Sequence, residues 1–475
     1  MINDRICPLS TNPRYFSYKG KPIWLSGHSL IWTFTAGLQG DQSADLKKDA
    51  PACSYRQEVA DVAASGGHLF RITPFWPDVW KNNIPMPWEQ VEPGRFDLSR
   101  FNEAYFDHLC DFIRLASEND IIIQMEIWDR PGLSHWHESR WPSHPFNPDR
   151  NINYGRDMLP GSDPNESNHV VFGRREFYRT VVGEKPELLK YQELYVNKLL
   201  SEIKEFPNLL YCIENEGQGG YKWERRWAKF IKDRIPDAVI TAMPLDPQDN
   251  HWRDYFDDPL FGCLDGGGSG LRTAARGMMH SHEDIPPAQP RSRSDQFALI
   301  REYLDKYIMY MTFNPQTARP IYVSNAFGKQ IDSIWVMFFG GAAGFRYHRC
   351  LWSGSNGDCY RWVKALNRFI RESGIEYWEM RPARDLLQGH GMCLAGVDRY
   401  GIYIPSTNTI RFRVPESAKT VTVRRFDCDH GEWIDETTLD VKRYQDGSTE
   451  MIELEGASET GTALFIAVKP IMCSR

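Results

Sequence analysis

The chain has 475 residues, enough for one large barrel with an accessory domain or for two or three ordinary domains. A net charge of −7 argues against the broad basic face that nucleic acid requires, and no apolar stretch approaches the roughly 20 residues that span a bilayer. With 41% hydrophobic and 25% charged residues the composition is that of a soluble globular protein; the 13% aromatic share, 16 Trp among it, suits a large core and also supplies the flat faces on which sugar rings stack.

The start, MINDRICPLSTNPRYF, has no apolar signal core. The expectation is a cytoplasmic protein, or a secreted or periplasmic one whose signal peptide is absent from this chain. The ten cysteines are scattered without a CxxC pair, so neither a zinc site nor any other metal or cofactor is expected, and the scatter leans toward a reducing compartment. Cys212 and Cys263 read as small buried thiols, and Cys350 and Cys359 are spaced so that they could bridge a loop.

From the N-terminus, PIWLSG (22–27) reads as a strand, SYRQEVADVAASGG (54–67) as a helix with Ser54 as its cap, and HLFRITPFW (68–76) as a second strand. NEAYFDHLCDFIRLASEND (102–120) sets Tyr105, Leu109, Phe112, Ile113 and Ala116 on one helical face, and the strand IIIQMEIW (121–128) follows at once. The alternation continues with a helix at 187–206, the strand LLYCIENE (209–216), a helix at 221–235, and the strands AVITAMP (238–244) and LFGCLDGGGSG (260–270). A helix at 296–313, the strand PIYVSNAFG (320–328), a helix near 329–339, the strand AAGFRYHR (342–349) and a helix at 361–374 complete it. Eight apolar strands, most followed by a helix, predict a parallel (β/α)₈ TIM barrel over 1–382. From 383 to 475 short alternating strands with Gly, Asn and Asp turns predict a small antiparallel β-sandwich, packed firmly on the barrel because no flexible linker joins them. Long insertions follow the third strand (129–185) and the sixth (271–295).

In such barrels the chemistry sits at the C-terminal strand ends. The polar residues there are His28 on the first strand, Arg71 on the second, Glu126, Trp128 and Asp129 on the third, and Glu214, Asn215 and Glu216 on the fourth. Asp246, Asp265, Asn325, and Arg346 with His348 follow on the remaining four. Glycoside hydrolysis needs two carboxyl groups about the scissile bond, ~5–5.5 Å apart for retention and ~6.5–9.5 Å for inversion. Glu216 suits the acid, with Asn215 holding a sugar hydroxyl. Glu214 shares the strand parity of Glu216 one step deeper, where it could be a structural acceptor for Arg71 or another buried cation. Trp128, Trp136 and Trp141 are candidate stacking platforms at the mouth, or else pack the loop.

Asn215–Glu216 at the fourth strand, Arg71 at the second and FDLSRFNEAYFDHLCDFI before the third resemble the clan A glycoside hydrolases. The order PIWLSG, PIYVSNAFG, AAGFRYHR and a final sandwich is similar to a bacterial family in which a glycoside-hydrolase barrel precedes a sandwich of the collagen-binding type. The resemblance implies a carbohydrate substrate, Glu216 as acid/base and Arg71 beside the nucleophile. The chain departs from the pattern at the seventh strand, where Asn325 falls in place of the nucleophile glutamate, and an amide cannot form the glycosyl ester. Either Asp265, Asp129 or Glu126 takes that role, or the enzyme inverts through an activated water, or the barrel binds sugar without cleaving it. Asp265 is preferred, with inversion: it ends LFGCLD, three glycines follow it, and Asn325 would then hold the water or a sugar hydroxyl. Its competing role is to cap the glycine-rich turn. A metal-dependent lyase or hydrolase built on His28 and His348 is a further reading, but neither histidine stands in an HxH or HExxH spacing.

Overall fold

The computed structural model describes residues 4–27, 55–73, 75, 86–129, 133, 141–159, 176–180, 183–215, 217, 219–243, 252–266, 293–326, 331–347, 358–442, 449 and 451–470. Eight parallel strands form the barrel: β1 Leu25–Gly27, β2 Leu69–Ile72, β3 Ile122–Asp129, β4 Leu209–Asn215, β5 Val239–Thr241, β6 Leu264–Asp265, β7 Ile321–Ala326 and β8 Gly344–Tyr347. They lie in two four-stranded sheets, ordered β5-β4-β3-β2 and β6-β7-β8-β1. Two seams close the ring: the His68 N–H donates to the Ser26 carbonyl at 2.6 Å between β1 and β2, and the Gly262 N–H to the Ile240 carbonyl at 2.9 Å between β5 and β6. Every residue of β3 and β4 is buried, which explains why these strands read as continuous apolar runs rather than as alternating ones.

A helix follows each strand: α1 Tyr55–Ala64, α2 Glu103–Glu118, α3 Pro186–Ile203, α4 Tyr221–Lys232, α5 Trp252–Asp257, α6 Arg293–Phe313, α7 Asp332–Phe339 and α8 Asp358–Ser373. The face expected on α2 is the buried one, with Phe106 added to it. Helix α5 was not expected, since six residues are too few to show a helical period. Ser54 lies outside the described residues, and Gln57 donates to Asp61 at 2.8 Å within α1.

PIWLSG, expected as one strand, is two. Lys21–Ile23 joins Cys7–Pro8 and Phe16–Tyr18 in an antiparallel sheet under the barrel, and only Leu25–Gly27 enters the barrel. Trp24 divides them, its indole N–H held by the Ala342 carbonyl at 2.7 Å. An antiparallel hairpin, Trp88–Glu92 with Arg95–Phe101, fills part of the β2–α2 connection. Cys212 and Cys263 are buried free thiols, as expected, whereas Cys359 at the start of α8 is disulfide-bonded.

Beyond the barrel the strands are antiparallel. A six-stranded sheet runs Arg381–Pro382, Met392–Ala395, Arg399–Ile404, Thr462–Pro470, Ala418–Asp427, Glu432–Asp440, and a three-stranded sheet runs Leu387–Gln388, Thr409–Arg413, Met451–Glu455. Alternation assigns the larger sheet two buried faces. Ile402, Ile404, Val421, Val423, Leu464 and Ile466 meet the smaller sheet, while Tyr403, Phe426, Ala463 and Phe465 join the barrel core. The Tyr403 ring lies near-parallel to both Trp335 (6.2 Å, 12°) and Phe339 (6.4 Å, 6°) of α7, which are 6.2 Å from each other, and its hydroxyl donates to Asp332. Gly401 is required by the same approach, since a Cβ there would lie 2.6 Å from Phe339 and 2.7 Å from Ile375.

Candidate active site

The C-terminal ends of β2, β3 and β4 meet in one buried network. Arg71 of β2, 1% exposed, donates through Nε to Glu126 of β3 and through Nη2 to the Oδ1 of Asn215 on β4. Thr73 donates its hydroxyl to Glu126 Oε2 at 2.8 Å, and Asn215 donates through Nδ2 to Asp129 Oδ1 at 2.6 Å. One guanidinium thus locks three adjacent strands. Asn215 is committed at both ends of its amide, to Arg71 and Asp129, which leaves at most one N–H for the sugar hydroxyl expected of it.

Burial dominates the electrostatics. It pushes the Glu126 carboxyl up to about 7, against the pull of Arg71 and Thr73. Arg346 on β8, fully buried, is depressed to about 9, first by burial and then by the like charge of Arg71, while Glu126, Asp265 and Glu58 draw it back up. It stays cationic at neutral pH, so two guanidinium groups and several carboxyls share the upper barrel.

Strands β3 and β4 slip together just below their tips. Glu126 and Asp129 both belong to the Arg71 network although they are three residues apart. Asn215 belongs to it as well, and Cys212, three residues earlier, faces the same lumen, its thiol raised by burial and then by Glu126 and Asp265. Period-two alternation would put one member of each pair outside. Between them, Trp128 and Glu214 stay paired in register and turn into the helix layer. Trp128 packs there against Phe177, Trp223 and Trp227, and Glu214 accepts from the Tyr178 hydroxyl at 2.7 Å. The acceptor on β4 for Arg71 is therefore Asn215, not Glu214.

Asp265 sits lower. It pairs in register with Tyr322 of β7, and Gln124, two residues before Glu126, spans the lumen to both, donating to Asp265 Oδ2 at 2.9 Å and accepting from the Tyr322 hydroxyl at 2.7 Å. The Asp265 N–H donates to Thr241 Oγ1 at 2.9 Å, which secures the two-residue β6 to β5. The glycines expected to make a turn after it fall at 266–268, of which Gly266 alone is described.

The rings of Trp128 and Trp141 are each 1% exposed, Trp141 stacked on His144 at 5.4 Å, so the expected open platforms are packed in the core in this structure. Glu216, Asp246, His28, Trp136 and His348 lie outside the described residues, as does the side chain of Asn325, whose backbone is in β7. Thr73 and Gln124 were legible as same-face neighbours of Arg71 and Glu126. Tyr178, inside a 57-residue insertion (129–185) without period, carried no such signal. Among the described residues no three His, Cys, Asp or Glu side chains are grouped to hold a metal, and no helix is long and apolar enough to cross a membrane.

No protein-family model and no curated protein matches this chain. Solved structures do. A glycoside hydrolase family 5 protein from Bacteroides vulgatus shares 11% identity at a TM-score of 0.61, over 98% of this chain and 93% of that one. A second structure, named only as a glycoside hydrolase, shares 12% identity at a TM-score of 0.61, over 98% and 97% of the two chains. The chain shares the fold of these structures, and the matched span of 98% takes in the antiparallel region as well as the barrel.

Proposed function

We propose that this chain is a glycoside hydrolase that cleaves glycosidic bonds in an oligo- or polysaccharide, with Glu216 as its general acid. The observation that supports this most is the Arg71 network. A buried ion pair costs several kcal/mol of desolvation and is weak as a stabiliser, yet it stands at the strand ends where barrels of this kind hold their chemistry, directly before Glu216. The likeness in fold to proteins named as glycoside hydrolases supports the same reading. Residue 216 follows an asparagine whose amide is fixed on both sides, the preorganisation that a proton donor needs.

For the second carboxyl group we keep Asp265, activating water for inversion, and set Asp129 against it. Asp265 lies at the level of Gln124 and Asp129 at the strand tip beside Asn215, so the two are separable by substitution. The disulfide at Cys359 supports a secreted or periplasmic setting over a reducing one. The competing reading, a barrel that binds carbohydrate without chemistry, is favoured by one observation: β7 ends in Ser324, Asn325 and Ala326, without a carboxylate.

A panel of polysaccharides and oligosaccharides tests these readings by reducing-end release, affinity electrophoresis and NMR of the product anomers in the first minutes. The expected result is inverted product, with Glu216→Gln slower by about 10²–10⁴-fold and its binding intact. Asp265→Asn or Asp129→Asn, whichever abolishes turnover in a folded protein, identifies the base. Wild-type turnover by Glu216→Gln on a substrate without an activated leaving group removes Glu216 from the mechanism. Binding without any release of reducing ends establishes the competing reading.

A further inference from the structure

Glu214 leaves the lumen, and where it goes it holds the turn that follows Glu216. One carboxylate oxygen accepts from the Tyr178 hydroxyl at 2.7 Å, and the other accepts from the Gly219 N–H at 3.3 Å. The Gly217 N–H donates to the Met243 carbonyl just beyond β5 at 2.9 Å. Neither glycine has room for a side chain. A Cβ at Gly217 would lie 2.3 Å from a carboxylate oxygen of Glu224 and 3.2 Å from one of Glu214; at Gly219 it would lie 2.4 Å from the Trp223 ring and 2.9 Å from that of Tyr178. Two buried carboxyl groups and two aromatic rings therefore box in the backbone after residue 216, while Arg71 and Asp129 grip Asn215 before it.

Tyr178 comes from the insertion that follows β3. It sits edge-on against Trp223 of α4 at 5.0 Å. Its segment is anchored on α3, where Thr180 donates to Gln192 at 3.0 Å and Gln192 to the Phe177 carbonyl at 2.9 Å. Glu214 is thus the joint between this insertion and the Glu216 turn.

We infer that Glu214 is a positioning residue, which with Tyr178 clamps the turn carrying Glu216 and couples it to the insertion after β3; this rests on Glu216 being the general acid. A general acid works within about 2.6–3.2 Å of the oxygen that it protonates, and a displacement of about 1 Å costs on the order of 10²-fold in rate. The hydrogen bonds of Glu214 act on the backbone that sets this distance and leave substrate binding to other groups.

The test uses the full chain and the variants Glu214→Ala, Glu214→Gln and Tyr178→Phe, read by steady-state kinetics on a hydrolysed glycan and by amide hydrogen exchange over 213–222. Glu214→Ala should lower kcat about 10–100-fold with KM within about twofold, because the lost term belongs to the transition state. Glu214→Gln keeps the shape but only one acceptor, so it can hold Tyr178 or the Gly219 N–H but not both, and should fall between the wild type and Glu214→Ala. Exchange at Gly217 and Gly219 should accelerate in Glu214→Ala and, less, in Tyr178→Phe. Unchanged exchange and kcat in Glu214→Ala overturns the inference. If Glu214→Ala does not fold, Tyr178→Phe decides by the same two readouts. If Glu216→Gln proves fully active, the reading of Glu216 as acid fails by itself, and hydrogen exchange still decides whether Glu214 clamps the turn.

Discussion

Arg71 and Glu126 face each other where water does not reach, and the consequences are measurable in solution. Removing the cation takes away what pulls the Glu126 carboxyl down, so in Arg71→Met it stays protonated at neutral pH and ionises only at a cost; the variant should lose stability, the more so as pH rises, in urea titrations at pH 7 and pH 9. The pH dependence has a definite sign. Glu126 is raised from an ordinary 4.5 to about 7, so between these values the folded protein keeps a proton that the unfolded chain releases. Stability from this group is full below pH 4.5 and falls as pH rises through about 7, by up to about 3 kcal/mol. Urea midpoints for wild type and Glu126→Gln at pH 5 and pH 8 should differ in slope, wild type losing more; equal slopes would show that the carboxyl is ionised throughout. Much of this residue-scale picture was legible: Arg71, Glu126, Asp129 and Asn215 stood out as polar groups at strand ends, and all four share one network. The orientations of Glu214 and Trp128 were not legible, because a joint slip of two strands that keeps their register leaves no mark on the hydrophobic pattern.

At the scale of elements, the barrel closes through glycines. A Cβ at Gly27 would lie 2.1 Å from the Leu69 carbonyl oxygen across the β1–β2 seam, and one at Gly344 2.5 Å from that of Leu25. Both obstacles are backbone, which cannot swing aside. Gly27→Ala should therefore cost about 2 kcal/mol or more through forced separation of the strands, visible as a lowered melting temperature and faster exchange of the His68 amide. The eight strands were legible since each is an apolar run between turn residues, and the helices since they are long enough to show a period. The division of PIWLSG at Trp24 was not, because a change of strand direction inside an apolar run is decided by an indole N–H finding the Ala342 carbonyl 318 residues away.

For the whole molecule the decisive feature is the six-stranded sheet with two covered faces. Trp335 and Phe339 of α7 lie against Tyr403, and polar contacts ring them: Trp433 to Glu372 at 3.0 Å, Arg368 to the Gly431 carbonyl at 2.8 Å and Arg361 to Asp429 at 2.7 Å. Barrel and sandwich should melt as one unit, giving a single calorimetric transition whose calorimetric and van't Hoff enthalpies agree. Tyr403→Ala removes one ring of this three-ring cluster and the donor to Asp332, and should cost about 3–5 kcal/mol. Two resolved transitions in the wild type would show that the covered face contributes little. The change of texture near residue 383 and the missing linker pointed to a packed sandwich. That the packing goes through Tyr403 depends on which parity faces which neighbour, and that is decided only in three dimensions.

Gly401 limits how freely the two portions could be exchanged. A residue pinned by Phe339 and Ile375 of the barrel portion has its fate tied to theirs. Grafted onto another barrel, such a sandwich would seat only where the host offered the same aromatic bed, so an exchange of sandwiches between chains should leave both portions less stable.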